Sequence, residues 1–98
     1  MKTITCEEFK EKINHHENMT VLDVRSPAEF HVGHIEGALN LPLHVMHLTV
    51  EQHIPDKKSL IVCNCAVGGR SSMAVTTLQQ MGYDNVYNLE GGYNAYCA

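Results

Sequence analysis

The stretch Cys65-Ala66-Val67-Gly68-Gly69-Arg70-Ser71 carries the chain's densest set of reactive and anion-binding residue types. A cysteine thiolate is a nucleophile, and backbone N–H groups, a helix N-terminus and nearby cations all favour its formation. The stretch follows the apolar run Leu60-Ile61-Val62-Cys63, which reads as a buried strand, and precedes a helical pattern starting near Arg70. Cys65 at such a junction faces the amides of a tight loop and the positive end of a helix. Gly68 and Gly69 lack a Cβ, so the loop can curl its amides around an anion. Arg70 adds a permanent positive charge. The expectation is a nucleophilic cysteine of lowered pKa, Cys65, in an anion cradle formed by Ala66, Val67, Gly68, Gly69 and Arg70. The competing reading, a buried structural cysteine, leaves the glycines, the arginine and the strand–loop–helix setting without a purpose.

Positioning such a loop needs a scaffold, and the chain supplies alternating strand and helix signals. Ile4 lies in a short strand-like start, and Thr5 with Glu8 forms a capping-box pattern before Phe9 and Ile13 at i, i+4. The polar residues 14–18 end that helix. Val21-Leu22-Asp23-Val24 reads as a buried strand. Ser26, Pro27 and Glu29 mark a helix start at N-cap, N1 and N3, and Gly33 ends it. His34 to Gly37 reads as a turn and Ala38 to Asn40 as a very short strand. A third helix is expected over His44 to His53, closed by Pro55, with Val45, Leu48 and Met46 facing the core. After the Cys65 loop a helix runs to about Met81 on the apolar stripe Ala74, Val75, Leu78, Met81, with Gly82 behind it. Val86 to Leu89 is the last strand, and Gly91-Gly92 leads into a terminal turn of helix from Tyr93 to Tyr96. Strands alternating with helices imply an α/β fold, a mostly parallel sheet covered on both faces. Ligands bind such sheets beyond the carboxyl ends of the strands. Cys65 and the segment Asp23-Val24-Arg25 both sit at such ends.

The 98 residues fit one domain, 1–98, with a single modest core. The formal charge of −4, with no cluster of Lys and Arg, argues against a nucleic-acid surface. Cys6, Cys63, Cys65 and Cys97 show neither a secreted disulfide framework nor a metal-type C-x-x-C pair. No signal-peptide pattern opens the chain and no apolar run approaches the ~20 residues of a membrane helix. A cytoplasmic protein without membrane attachment is expected.

Four segments resemble the rhodanese sulfurtransferase family, and together they span nearly the whole chain. Asp23-Val24-Arg25 resembles the family's D-V-R. Glu29-Phe30 with Gly33-His34-Ile35-Glu36-Gly37-Ala38-Leu39-Asn40-Leu41-Pro42 resembles E-F-x-x-G-H-I-x-G-A-x-N-x-P. Cys65 to Ser71 resembles the active-site loop C-x-x-G-x-R-S. Leu89-Glu90-Gly91-Gly92-Tyr93-Asn94-Ala95-Tyr96 resembles L-x-G-G-[WY]-x-A-W, with Tyr96 where Trp is usual. The resemblance implies a five-stranded sheet with flanking helices and no cofactor. It implies that Cys65 takes a sulfane sulfur from thiosulfate or a similar donor, holds it as a persulfide and passes it to cyanide or a thiol. The alternative is a sulfur carrier charged by a protein partner, with little thiosulfate turnover; the loop favours it in having Arg70 as its one charged residue. Related phosphatase loops place one more residue between Cys and Arg than the four found here, so the shorter loop resembles the sulfurtransferases.

Other reactive residue types receive structural readings. Asp23 is expected as a buried carboxylate satisfied by amides and Arg25 as the partner of Glu29; both, with Ser71, are supporting residues of the site. His34 is expected to brace its turn. The pairs His31/His34 and His44/His47 lack accompanying carboxylate or cysteine ligands, so no metal site is assigned. Cys63 reads as a small apolar strand residue, with a resolving thiol as the sharper alternative; Cys97 is expected to be exposed. Met19, Met46, Met73 and Met81 read as packing residues and Met1 as the initiator.

Overall fold

The computed structural model describes residues 2–15 and 17–98. Met1, and the His16 position within the polar run, lie outside the described residues. The elements are β1 (Thr3–Ile4), α1 (Cys6–Asn14), β2 (Thr20–Asp23), α2 (Pro27–Val32), β3 (Leu39–Asn40), α3 (Leu43–His53), β4 (Ile61–Asn64), α4 (Gly69–Gln80), β5 (Val86–Leu89) and α5 (Gly92–Cys97). The strands form one five-stranded sheet in the order β1-β5-β4-β2-β3, and every pairing among them is parallel. The expected α/β fold with a five-stranded parallel sheet is the fold observed.

Local chemistry explains the helix starts. The Thr5 hydroxyl accepts from the Glu8 amide at 3.1 Å while the Thr5 amide donates to Glu8 Oε1 at 2.9 Å. Ser26 and Glu29 repeat this reciprocal cap at α2. Each box satisfies two backbone N–H groups that a helix start leaves open. Gly33 N–H donates to Glu29 O, and His34 Nδ1 lies 2.7 Å from Phe30 O with its ring stacked on Phe30. His34 therefore braces the end of α2, as expected.

The core divides on the two faces of the sheet. Leu22, Val24, Ile61, Cys63, Cys65 and Val86 pack against Met46 and Val50 of α3 and Ala74, Val75 and Leu78 of α4. Val21, Val62, Leu89 and Ile4 pack against Phe9 of α1, with Ile13, Tyr93 and Tyr96 partly buried beside them. Three expectations fail here. β4 is shifted one residue along, to Ile61–Asn64, because a fully apolar run carries no alternation to set its ends. On α3 the buried positions are Met46 and Val50, one turn apart, whereas Val45 is half-buried and Leu48 is 66 % exposed. Met73 is 62 % exposed, since the stripe Ala74, Val75, Leu78 faces the sheet and turns it outward. Among the described residues no helix is long and apolar enough to cross a membrane, and no group of three or more His, Cys, Asp or Glu is placed to hold a metal.

The α3 assignment gives a direct check. Met46→Ala removes a fully buried side chain and is expected to cost about 2–5 kcal/mol of unfolding free energy in urea, whereas Leu48→Ala should stay within about 0.5 kcal/mol. Equal losses would contradict the facing of this helix.

Candidate active site

Cys65 follows β4, the central strand, and Asp23 ends the neighbouring strand β2, in register with Asn64. The carboxyl ends of these two strands and the start of α4 bring together Cys65, Arg70, Ser71, Asp23 and Arg25. The loop between β4 and α4 turns on Gly68, whose φ of +114° lies in the left-handed region that only glycine adopts without strain. Gly69 is different. It begins α4, a Cβ on it would touch nothing within 4 Å, and its φ is not left-handed. Only one of the two glycines is therefore required by the loop's conformation.

The loop's amides are aimed by α5. Cys65 O accepts from Tyr93 N–H at 2.8 Å and Ala66 O from Asn94 N–H at 3.0 Å. In a planar trans peptide the C=O and N–H point in opposite directions. Drawing these two carbonyls toward α5 turns the following N–H groups to the other side of the loop. The Gly68 N–H completes the turn and donates to Cys65 Sγ at 3.1 Å. Gly92 makes this approach feasible: a Cβ there would lie 2.6 Å from both Cys65 O and Ala66 O, and its φ is +63°. Sequence reasoning placed Gly92 in a motif without seeing its task. Its signal was the Gly-Gly pair before an aromatic residue, and its partners lie far away in sequence.

Cys65 itself is 1 % exposed, at the floor of the loop. Burial pushes its thiol up, but the Ser71 hydroxyl and the amides of Ser71, Gly68 and Val67 outweigh it and hold the pKa below the ordinary cysteine value. Ser71 Oγ lies 3.3 Å from Sγ. Cys63, on the same sheet face, is fully buried; burial drives its thiol far up and the Cys65 charge adds to this. It packs in the core as a small apolar strand residue. Cys97 is exposed and Cys6 half-buried, both free.

The charged residues pair differently from expectation. Arg25 does not meet Glu29. Its guanidinium closes back on Asp23, with Nη2 to Oδ2 at 2.7 Å and Nε to Oδ1 at 3.0 Å, and its own amide also donates to Asp23 Oδ1. Arg25 Nη2 donates in addition to Gly33 O at 2.7 Å, and the guanidinium stacks 4.5 Å from the Tyr93 ring centroid. With its guanidinium closed on Asp23, Arg25 adds little free charge to the site. Glu29 instead takes Arg70 in a bidentate pair, Nη1 to Oε1 at 2.7 Å and Nη2 to Oε2 at 3.0 Å. Arg70, then the Ser26 amide, hold the Glu29 carboxyl down to about 2 from an ordinary 4.5. The depressed value means that the pair is fully formed above about pH 4.5 and is lost only as pH falls toward 2. Beside Arg70 lies a cavity of about 220 Å³ lined by Val24, Ser26, Pro42, Leu43 and His44.

Residues 5–98 match the sequence profile of the rhodanese-like domain. The chain belongs to the rhodanese-like family. It is similar to a sulfurtransferase of Allochromatium vinosum, 34% identical over 93 residues, a match covering 95% of this chain and 85% of that one. The thiosulfate sulfurtransferase PspE of Escherichia coli is 34% identical over 70 residues, covering 71% of this chain and 67% of PspE. The solved rhodanese-like domain protein of Staphylococcus aureus superposes with a TM-score of 0.84 at 32% identity, covering 98% of this chain and 91% of that structure. Such relatives support a rhodanese-type sulfur-transfer role.

The two glycines of contrasting geometry are separable by experiment. Gly92→Ala should lose about 2–4 kcal/mol of stability in urea, from the left-handed backbone and the carbonyl contacts, and should slow Cys65 alkylation at neutral pH. Gly69→Ala should be neutral or slightly stabilising. A tolerated Gly92→Ala with unchanged alkylation would refute the role given to the α5 contact.

Proposed function

We propose that the protein is a sulfurtransferase in which the Cys65 thiolate accepts a sulfane sulfur, from thiosulfate or a donor like it, and passes it to cyanide or a thiol. The observation that carries this reading is the Gly68 amide donating to Cys65 Sγ at 3.1 Å, with the Ser71 hydroxyl 3.3 Å from the same sulfur. In the first step the thiolate attacks the outer sulfur of thiosulfate. A new S–S bond forms, the donor's S–S bond breaks with its electron pair, and sulfite leaves. Cys65 then carries a persulfide anion whose charge sits where the loop amides of Ala66 to Arg70 can stabilise it. In the second step cyanide attacks the outer sulfur, the persulfide S–S bond breaks, and the Cys65 thiolate returns as thiocyanate leaves. A thiol acceptor follows the same path and gives its own persulfide. Two displacements through a covalent enzyme predict ping-pong kinetics. The near-complete burial of Cys65 favours donors that present a terminal sulfur end-on.

A sulfur carrier charged by a protein partner is the second reading, and one observation favours it: the single cation of the loop, Arg70, is neutralised by Glu29. A dianionic donor then meets amides but little net positive charge, whereas a protein persulfide carries less charge and meets the exposed Val67 at the loop tip. We place the chain's action on soluble partners in the cytoplasm, as a single domain without nucleic acid or membrane.

Steady-state assay with thiosulfate and cyanide tests the two readings together. The enzyme reading expects thiocyanate, parallel lines in double-reciprocal plots, and complete loss in Cys65→Ser. Glu29→Gln keeps the α2 cap but frees the Arg70 charge, so it should lower KM for thiosulfate several-fold at low salt. Absence of thiocyanate from the intact protein, with sulfur passing readily from a protein persulfide to Cys65, would overturn thiosulfate as donor and leave the carrier.

A further inference from the structure

Ser71 has one hydroxyl proton and three neighbours that compete for it. Its Oγ lies 2.6 Å from Asn88 Oδ1, 3.2 Å from Gly68 O and 3.3 Å from Cys65 Sγ. Asn88 Oδ1 and Gly68 O can only accept. The proton therefore goes to one of them, and the shortest contact assigns it to Asn88. The Asn88 amide cannot turn over to release it. Its Nδ2 donates to Gly68 O at 3.2 Å, and reversal would set two oxygens against each other. With its proton engaged, Ser71 offers Cys65 only a lone pair, which suits an S–H donor and not a thiolate. Ionisation of Cys65 requires the hydroxyl to rotate toward Sγ, and Asn88 Oδ1, on a residue only 8 % exposed, then loses its partner.

We propose that Asn88 is a positioning residue for the nucleophile: it holds the Ser71 proton away from Cys65 while the thiol is protonated and gives it up when the thiolate forms. Asn88 reaches the Cys65 thiol through Ser71, from β5, the strand beside β4. The Cys65 thiol is thereby kept in reserve, less ionised than the loop amides together with an unengaged Ser71 hydroxyl would make it. The inference rests on Cys65 being the nucleophile, but its test uses no sulfur donor, so its failure is distinct from a failure of sulfur transfer.

Other groups around Cys65 stay fixed through the comparison. Arg70 at the start of α4 feels the Cys65 charge and is paired with Glu29 of α2. Asp23 at the end of β2 and Arg25 just after it are closed on each other. Cys63 lies in β4, His44 of α3 lines the cavity beside Arg70, and the Tyr93 amide of α5 holds Cys65 O. None of them touches Asn88's link to Ser71.

The test is the pH dependence of iodoacetamide alkylation, read on the Cys65 peptide by mass mapping so that the other cysteines do not contribute. Asn88→Ala frees the Ser71 proton and should move the midpoint down by about half to one pH unit. Asn88→Val, better suited to a strand, should do the same and serves if the alanine variant fails to fold. Ser71→Ala should move the midpoint up, and adding Asn88→Ala to it should change nothing further. A midpoint that is unmoved or raised in the Asn88 variants, or a downward shift that survives in the Ser71→Ala background, would overturn the proposal.

Discussion

The site depends on which way two peptide planes face. Tyr93 and Asn94 of α5 take the carbonyls of Cys65 and Ala66, and the planarity of the peptide sends the N–H groups that follow to the opposite side. A loop with the same residues but free carbonyls would present a mixture of donors and acceptors to the sulfur. The tie to α5 also explains the form of the chain's end. Gly91 and Gly92 both have positive φ, and Gly92 leaves its missing Cβ to the space the two carbonyls fill. The C-terminal helix is thus part of the active-site loop's construction, although it lies 27 positions or more after Cys65.

Charge at the site is arranged for balance. Both arginines that the sequence brings near Cys65 are matched by a carboxylate: Arg25 by Asp23 and Arg70 by Glu29. The Glu29 pair is ionised throughout the neutral range, so the loop holds an anion chiefly through amides, not through net positive charge. Preorganised amides in a buried setting stabilise a charge that forms on the sulfur without attracting every passing anion. A mildly acidic chain with an amide cradle fits a nucleophile that waits for a particular donor.

What was legible in the sequence was local. The capping boxes at Thr5/Glu8 and Ser26/Glu29, the turn at Gly68 and the alternation of strand and helix depend on residues a few positions apart, and these were read correctly. The failures involve choices among distant partners. Glu29 was expected to cap α2 and to take Arg25, yet the arginine it pairs with is Arg70, 41 positions away. Arg25 had two carboxylates within reach, and only the folded turn after β2 shows that Asp23 takes it. Asn88 was one polar residue in a short strand; its bond to Ser71 exists only because α4 packs against β5. Leu48 and Met73 illustrate the opposite limit: an apolar residue type does not say which side of a helix is covered.

All of these features converge on one sulfur atom. The most direct measurement is the intact mass of the protein after brief incubation with thiosulfate and removal of excess donor, followed by peptide mapping. The account predicts a gain of one sulfur atom, confined to the Cys65 peptide and discharged by a small thiol. A stable unmodified mass with thiosulfate and with a protein persulfide alike, or an added sulfur on Cys6 or Cys97 in place of Cys65, would contradict it.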